Sequence, residues 1–421
     1  MEKTILQQNR HWKHGEYKGL LHRELMVDLK KRLQLKEIQV LLGVRRSGKS
    51  TLFKLMINHL LKENEATELL YLNFDDPFFS FVYNDVRKMQ ILFDNAEKLT
   101  GTKIRYLFLD EIQHVAGWEK LIKSLYDSEL YTKIFITGSN SSLLQNEYAT
   151  LLSGRYTVLQ VFPFSFSEIL KHGGIKDKLS LVDRKPEALR IVDDMMEFGS
   201  FPEIMKTCDR ELKREMVLSY YETILLKDCV VNGGIRDVKT FQELAHYLLS
   251  NVAALFSYNS IAKAIGSNDQ TVKDLIHILE KSFIFTELKL FSWSLKKQVR
   301  NKKKMYSIDN SFPANISFRF SSNKGKLFEN LVFSELKKSG KKLFFFNGKN
   351  ECDFITHGDV NVAYQVCYEI TEENRKREVN GLREAMDKFD IPEGYIITYN
   401  QEEVLDDIEV APFWKFFSYR D

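Results

Sequence analysis

The chain has 421 residues, of which 44% are apolar, 28% charged and only 7 proline, a profile that excludes mini-proteins, collagen-like chains and disordered tails and predicts two to four packed domains. Lysine and arginine (61) nearly balance aspartate and glutamate (58), leaving a net charge of +3, so affinity for a polyanion must come from a local cluster. Cys208, Cys229, Cys352 and Cys367 form no CxxC pair, which argues against a zinc site or a disulfide framework and for reduced thiols in the cytoplasm. The opening residues MEKTILQQNRHWKHGEYK lack an apolar leader core, and no run approaches the ~20 apolar residues of a bilayer span. A soluble cytoplasmic protein with no membrane partner is expected.

In chain order, Glu37–Gly43 reads as a β-strand and is followed by Val44-Arg-Arg-Ser-Gly48-Lys49-Ser50-Thr51 and the helical run LFKLMINHLLKE. A G-x-x-x-x-G-K-S turn between strand and helix wraps phosphate in backbone N–H groups at a helix N-terminus. Gly43 and Gly48 permit the close turn, Lys49 reaches the β- and γ-phosphates, and Ser50 ligates Mg²⁺. The nucleotide-binding set expected is Gly43, Arg46, Ser47, Gly48, Lys49, Ser50 and Thr51, with ATP and Mg²⁺ as ligands.

Glu68–Phe74 reads as a strand, and Ile104–Leu109 as another, ending in Asp110-Glu111. A buried strand delivering two carboxylates at its tip suits Asp110 to the Mg²⁺ shell and Glu111 to the attacking water. Lys133–Gly138 is a further strand, ending in Ser139-Asn140-Ser141; Asn140 is the first candidate for a γ-phosphate sensor and Ser139 the alternative, while a plain turn is the competing reading. Arg155 precedes a fifth strand at 158–162 and is a candidate for stabilising the transition state, in cis or across a subunit contact of a homo-oligomer. The catalytic set is then Lys49, Glu111, Asn140 and Arg155.

The segments GVRRSGKSTLF (43–53), LFLDEIQHVAGWEKLIKSLYD (107–127), FITGSNSSLL (135–144), LLSGRYTVLQVFPFSFSEIL (151–170) and FGSFPEI (198–204) resemble those of prokaryotic AAA-type P-loop ATPases that carry a C-terminal winged helix and a restriction-endonuclease-like (PD-(D/E)XK-type) domain. The resemblance implies a multidomain α/β chain: an ATPase core with a five-stranded parallel sheet (1–165), the strand of the phosphate loop lying centrally and Glu111 as the hydrolytic glutamate. A helical lid and connector (166–237), a winged helix (238–310) and a degenerate nuclease-like α/β domain (311–421) would follow.

The residues themselves fit this order. Apolar spacing of three and four marks helices from Ser165 to Asp237. SYNSIAKAIG and DQTVKDLIHILEKSFI, joined at Ser267-Asn268, have a helix-turn-helix outline. Between two later strand-like segments lie Lys296, Lys297, Arg300, Lys302, Lys303 and Lys304. Such a loop can lie on the phosphates of double-stranded DNA; a solvated hairpin is the competing reading. In the last hundred residues Glu329 and Asp353 stand where the resemblance implies a second Mg²⁺ site, but the expected E-x-K reads Gln365-Val366-Cys367. An amide is a poorer Mg²⁺ ligand than a carboxylate, and a thiol offers no fixed positive charge, unless a lysine arrives from elsewhere. The function expected is a Mg²⁺-dependent ATP-hydrolysing switch acting on DNA or a protein, with an ATP-regulated nuclease or a slowly turning ATP-binding module as alternatives.

Overall fold

The computed structural model describes residues 1–141, 152–317, 324–405 and 407–418; Ser142–Leu144 of FITGSNSSLL and Leu151 lie outside them. The chain divides into two compact units, Met1–Phe162 and Pro163–Asp421. Among the described residues, no helix is long and apolar enough to cross a membrane.

The first unit is built on five parallel strands, β1 (Ile38–Leu42), β2 (Leu69–Asn73), β3 (Tyr106–Asp110), β4 (Lys133–Gly138) and β5 (Tyr156–Gln160), in the order β2-β3-β4-β1-β5. β1 is interior, one strand from the edge, and β4 holds the middle. β5 starts two residues before the expected 158 because its register is set by β1, with Ile38 opposite Tyr156 and Leu42 opposite Gln160. The strands β1 and β3 are buried on both faces, as in a parallel sheet covered by helices. The helix Lys49–Leu60 buries Leu52, Phe53, Met56, Ile57 and Leu60, a stripe at three- and four-residue spacing. Phe53 meets Phe108 of β3 edge-on at 5.3 Å, and Phe108 stacks on Phe135 of β4 at 4.6 Å. Each such ring contributes on the order of 2 kcal/mol by burial, and together they set the phosphate-loop helix against the strands that carry Asp110 and Thr137.

Edge strand β2 exposes main-chain groups that need partners, and the N-terminal segment supplies them from side chains. Asn9 donates Nδ2–H to Tyr71 O (2.9 Å) and accepts from Tyr71 N–H (2.7 Å). Gln8 accepts from Asn73 N–H (2.8 Å), and Trp12 donates to Leu69 O (2.8 Å). His11 Nε2 lies 2.9 Å from the same Leu69 oxygen.

The second unit begins with helices, including Phe166–His172, Lys185–Phe198 and Arg210–Thr223, the last running into a π-helical turn at Ile224–Val231. The helices Val238–Ser250, Tyr258–Ala264 and Asp269–Lys281 follow, the last two joined by a short turn at Gly266 (φ 67°) and capped by Ser257 and Asn268. An antiparallel sheet of β6 (Leu255–Phe256), β7 (Phe285–Leu288) and β8 (Lys303–Ser307) lies beside them, with β8 in the middle. The last part pairs β9 (Lys342–Asn347), β10 (Glu351–His357), β11 (Val362–Val366), β12 (Glu393–Thr398), β13 (Glu403–Leu405) and β14 (Ile408–Pro412) in the order β13-β14-β12-β11-β10-β9. The helices Lys324–Lys338 and Glu372–Phe389 accompany this mixed sheet.

FGSFPEI has a packing role in this unit. Gly199 has φ +71°, and a Cβ there would lie 1.6 Å from Asp309 Oδ1. The buried Asp309 carboxylate accepts hydrogen bonds from Ser200 N–H (2.7 Å), Ser200 Oγ–H (3.1 Å) and Ser311 N–H (2.9 Å). Gly199→Ala is expected to destabilise by about 3 kcal/mol or more in urea unfolding, against about 1 for Gly234→Ala, which shares a positive φ but has open space around it.

The His11 clasp predicts an acid limb. Burial lowers the His11 pKa to about 4, outweighing the help of the Leu69 carbonyl. The unfolded chain therefore takes up a proton before the folded one does. The His11 contribution to stability is complete above about pH 6.5 and falls by about 3 kcal/mol as pH drops toward 4. Denaturation across that range should flatten in His11→Gln.

Candidate functional site

Strands β1, β3 and β4 all end at one edge of the first sheet, and the site is assembled from the residues just beyond their ends. After Leu42 the chain turns through two left-handed residues, Arg46 (φ 70°) and Gly48 (φ 99°), before the helix starts at Lys49. Gly43 is required by packing: a Cβ there would stand 2.1 Å from Val161 O. The buried Arg23 guanidinium braces the turn, donating to Ser47 O and Phe162 O, both at 2.8 Å. Ser47 Oγ is buried and, among the described residues, has no hydrogen-bond partner. Lys49 is 4% exposed; its ammonium donates to Gly43 O (3.0 Å) and Val44 O (3.2 Å) and lies 3.7 Å from Glu111 Oε1.

Asp110 is the last residue of β3 and fully buried. It accepts hydrogen bonds from Tyr71 Oη (2.7 Å), from Thr137 Oγ1 and from the Ser50 hydroxyl. Burial, then the neighbouring Glu111 charge, raise its pKa against these donors. Glu111 turns out of the strand in the left-handed region (φ 54°), a conformation that costs a non-glycine residue about 1 kcal/mol or more. Its N–H is held by Thr137 Oγ1 (2.9 Å), and its carboxylate accepts from Gln113 Nε2 (2.5 Å). Burial pushes its pKa up, but Lys49, Arg45, Gln113 and His114 outweigh burial and keep it below the ordinary value. Asp110 and Glu111, adjacent in sequence, thus have opposite acid strengths.

Ser139 and Asn140 come directly after β4 at the same edge; both are buried, and Gln113 Nε2 lies 3.4 Å from Ser139 Oγ. Gly43, Ser47, Gly48, Lys49, Ser50 and Thr51 are gathered in the turn and the first helical turn, and Arg46 is exposed beside them. Arg155 is not brought to this site in its own chain. It immediately precedes β5, its carbonyl accepts from Ile38 N–H at the start of β1, and its guanidinium donates to Asp127 Oδ1 at 2.8 Å. Parallel pairing therefore leaves it a strand length, about 16 Å, from the phosphate-loop edge.

Sequence reading missed Thr137, Tyr71 and Arg23. Thr137 is visible in FITGSN as a polar residue inside an apolar strand, which is a signal in itself; the other two reveal their partners only after folding.

One expectation for the second unit needs correction. Lys303 and Lys304 are not in an exposed loop: they begin β8 and are 5% and 1% exposed. Lys303 donates to Val299 O (2.9 Å) and Asn301 O (3.0 Å), so its charge is spent locally. Only Lys296, Lys297 and Arg300, on the short helix Leu295–Arg300, and Lys302 remain exposed. Glu329 and Asp353 do converge, but around the ammonium of Lys304.

Residues 35–170 match a family model described as AAA domain, and residues 189–321 match one described as domain of unknown function (DUF8612). The first model spans the phosphate loop, both carboxylates and all five strands, and the strand order agrees with it: the first unit is an AAA-type P-loop domain. Over 416 residues the chain is 34% identical to Uncharacterized protein MJ1544 of Methanocaldococcus jannaschii, covering 92% of this chain and 90% of that protein. It is 31% identical over 385 residues to an uncharacterized protein of Haemophilus influenzae, covering 89% and 92%. The chain belongs to the family of these two proteins. Among solved structures, the Aeropyrum pernix ORC1 protein in complex with DNA is 14% identical with a TM-score of 0.33, covering 78% of this chain and 98% of that one. AMPPCP-bound DnaA from Aquifex aeolicus is 16% identical with a TM-score of 0.32, covering 65% and 92%.

Thr137 joins both acidic residues, so Thr137→Val leaves a buried N–H and a buried carboxylate each short of a partner. Urea unfolding should show a loss of about 2–3 kcal/mol, whereas Thr137→Ser, which keeps the hydroxyl, should cost less than about 1.5.

Proposed function

We propose that the protein is a Mg²⁺-dependent ATPase that works as a nucleotide-controlled switch. The observation that carries this reading is the convergence, at one sheet edge, of a helix-N-terminal turn, the Lys49 ammonium and the differently tuned carboxylates Asp110 and Glu111. The turn fits a phosphate chain. Among the described residues Ser47 Oγ lacks a partner and Lys49, beside Glu111, donates to carbonyls of the turn itself, contacts it can exchange for β- and γ-phosphate oxygens.

Ser50 and Asp110, already hydrogen-bonded to each other, would hold Mg²⁺, which supplies neutralising charge on the phosphate oxygens. Gly43, Gly48 and Thr51, with Arg46 at the rim, complete the cradle. Glu111, kept ionised beside Lys49, orients the attacking water and takes its proton at a carboxylate oxygen. Asn140 is suited to the γ-phosphate, with Ser139 as its neighbour. Arg155, paired with Asp127, takes no part at its own phosphate loop; the role proposed for it is across a subunit contact.

The helix-turn-helix and three-stranded sheet of the second unit support a winged-helix module, and β9–β14 with their helices a restriction-endonuclease-like one. Duplex DNA is the partner class proposed, contacted through Lys296, Lys297, Arg300 and Lys302.

Phosphate release from Mg-ATP should be absent in Lys49→Ala and reduced about 100-fold or more in Glu111→Gln, with nucleotide binding retained in the latter. Wild-type turnover that survives in both variants would refute the assignment. Affinity for duplex DNA should fall with salt, and replacing the four exposed cations by alanine should reduce the slope of log K against log salt by about 3. An unchanged slope would move the partner away from this helix.

A further inference from the structure

The Lys304 cluster belongs to no step of the ATPase and does not depend on that reading. Lys304, on the middle strand of the three-stranded sheet, is 1% exposed. Its ammonium lies 2.8 Å from Glu329 Oε1 on the helix Lys324–Lys338 and 3.1 Å from Asp353 Oδ1 on β10, and it pairs with Glu351 as well. An ammonium has three N–H donors, and three carboxylates take them.

Both carboxylates carry further hydrogen bonds. Tyr306 Oη donates to Glu329 Oε1 at 2.6 Å, and Asp353 Oδ2 accepts from Val366 N–H at 2.9 Å. Gln365, at the position where a third ligand is expected, donates to Glu378 Oε2 (2.6 Å), while its buried amide oxygen has no hydrogen-bond partner among the described residues. A divalent cation entering here would face a buried positive charge already sharing both carboxylates, so these residues do not fit a metal.

We propose that this pocket is a cation site that the chain fills with its own Lys304 side chain, making it a charge-paired joint between the β7–β8 hairpin and the six-stranded sheet in place of a metal centre for phosphodiester cleavage.

Other contacts of the hairpin converge on the same joint. Asn330 holds Ser307 by both its N–H (2.8 Å) and its carbonyl (3.2 Å). Tyr306 stacks on Phe333 at 4.3 Å. Beyond β7, Phe345 of β9 accepts from Phe291 N–H (2.7 Å) and donates to Lys289 O (3.1 Å). Burial alone would strip the proton from Lys304, but Glu329, Asp353 and Glu351 with Tyr306 reverse that and hold it charged. The joint thus ties the β7–β8 hairpin directly to the C-terminal sheet.

The test is Mn²⁺ binding to the full chain without nucleotide, read by electron paramagnetic resonance, with thermal melting in parallel. Wild type and Asp353→Asn should take up Mn²⁺ identically, and neither melting temperature should move with the metal. Lys304→Ala opens the cation position, so it should gain one Mn²⁺ per chain and several degrees of melting temperature with it, both lost in Lys304→Ala/Glu329→Gln. Wild-type Mn²⁺ uptake that disappears in Asp353→Asn would overturn the proposal, as would a folded Lys304→Ala that binds none. If Lys304→Ala does not fold, the comparison of wild type with Asp353→Asn still decides.

Discussion

Parallel strands release all their C-terminal ends at one edge, and in the first unit that constraint determines where charge can be buried. Carboxylates at the tip of β3 must lose water, and much of the compensation is what neighbouring strands deliver to the same edge. β1 supplies Lys49 through the helix it feeds, β4 supplies the Thr137 hydroxyl, and β2 supplies Tyr71. The result is a pair of adjacent acids in different environments. Asp110 is surrounded by neutral donors and disfavoured as an anion; Glu111 faces cations and is favoured as one. The different acid strengths of the two, on which their proposed roles rest, come from which neighbours each one faces.

The phosphate loop is legible in the sequence because its chemistry is local: glycines, lysine and serine at set spacings, between a strand and a helix, carry their meaning within about fifteen residues. The strand ending in Asp110-Glu111 is legible for the same reason. Tyr71 and Arg23 are not, since a tyrosine in a strand and an arginine ahead of a helix look ordinary until parallel pairing places Leu72 beside Leu109 and the turn beside Phe162. Arg155 shows the limit of local reading in another way. It stands before its strand, and in a parallel sheet before and after are opposite ends, so of the two roles expected for it the one at its own phosphate loop is excluded and the one across a subunit contact is untouched.

In the second unit composition misleads at the basic run. Six cations in nine residues suggest a solvated surface, yet β8 begins inside the run and carries two of them into the interior. What offsets the cost for Lys304 lies at positions 329, 351 and 353, too distant in sequence for local patterning to reveal. The mismatch at Gln365-Val366-Cys367, by contrast, is legible without a fold, because neither an amide nor a thiol there suits a hard divalent cation. The order of helices in 165–285 is visible from apolar spacing, while the two-residue strand β6 is too short to leave a pattern.

The clasp on β2 makes the first sheet, in effect, six strands wide, with a last strand contributed by side chains. Asparagine and glutamine carry the same amide as the peptide unit, so Gln8 and Asn9 can complete the ladder at Asn73 and Tyr71 without any backbone running alongside. Main-chain pairing tolerates almost any side chain; this substitute depends on identity, and a stretch that looks like unremarkable polar sequence becomes one where conservative changes are not neutral. It also closes the side of the sheet at which a strand from another molecule would add.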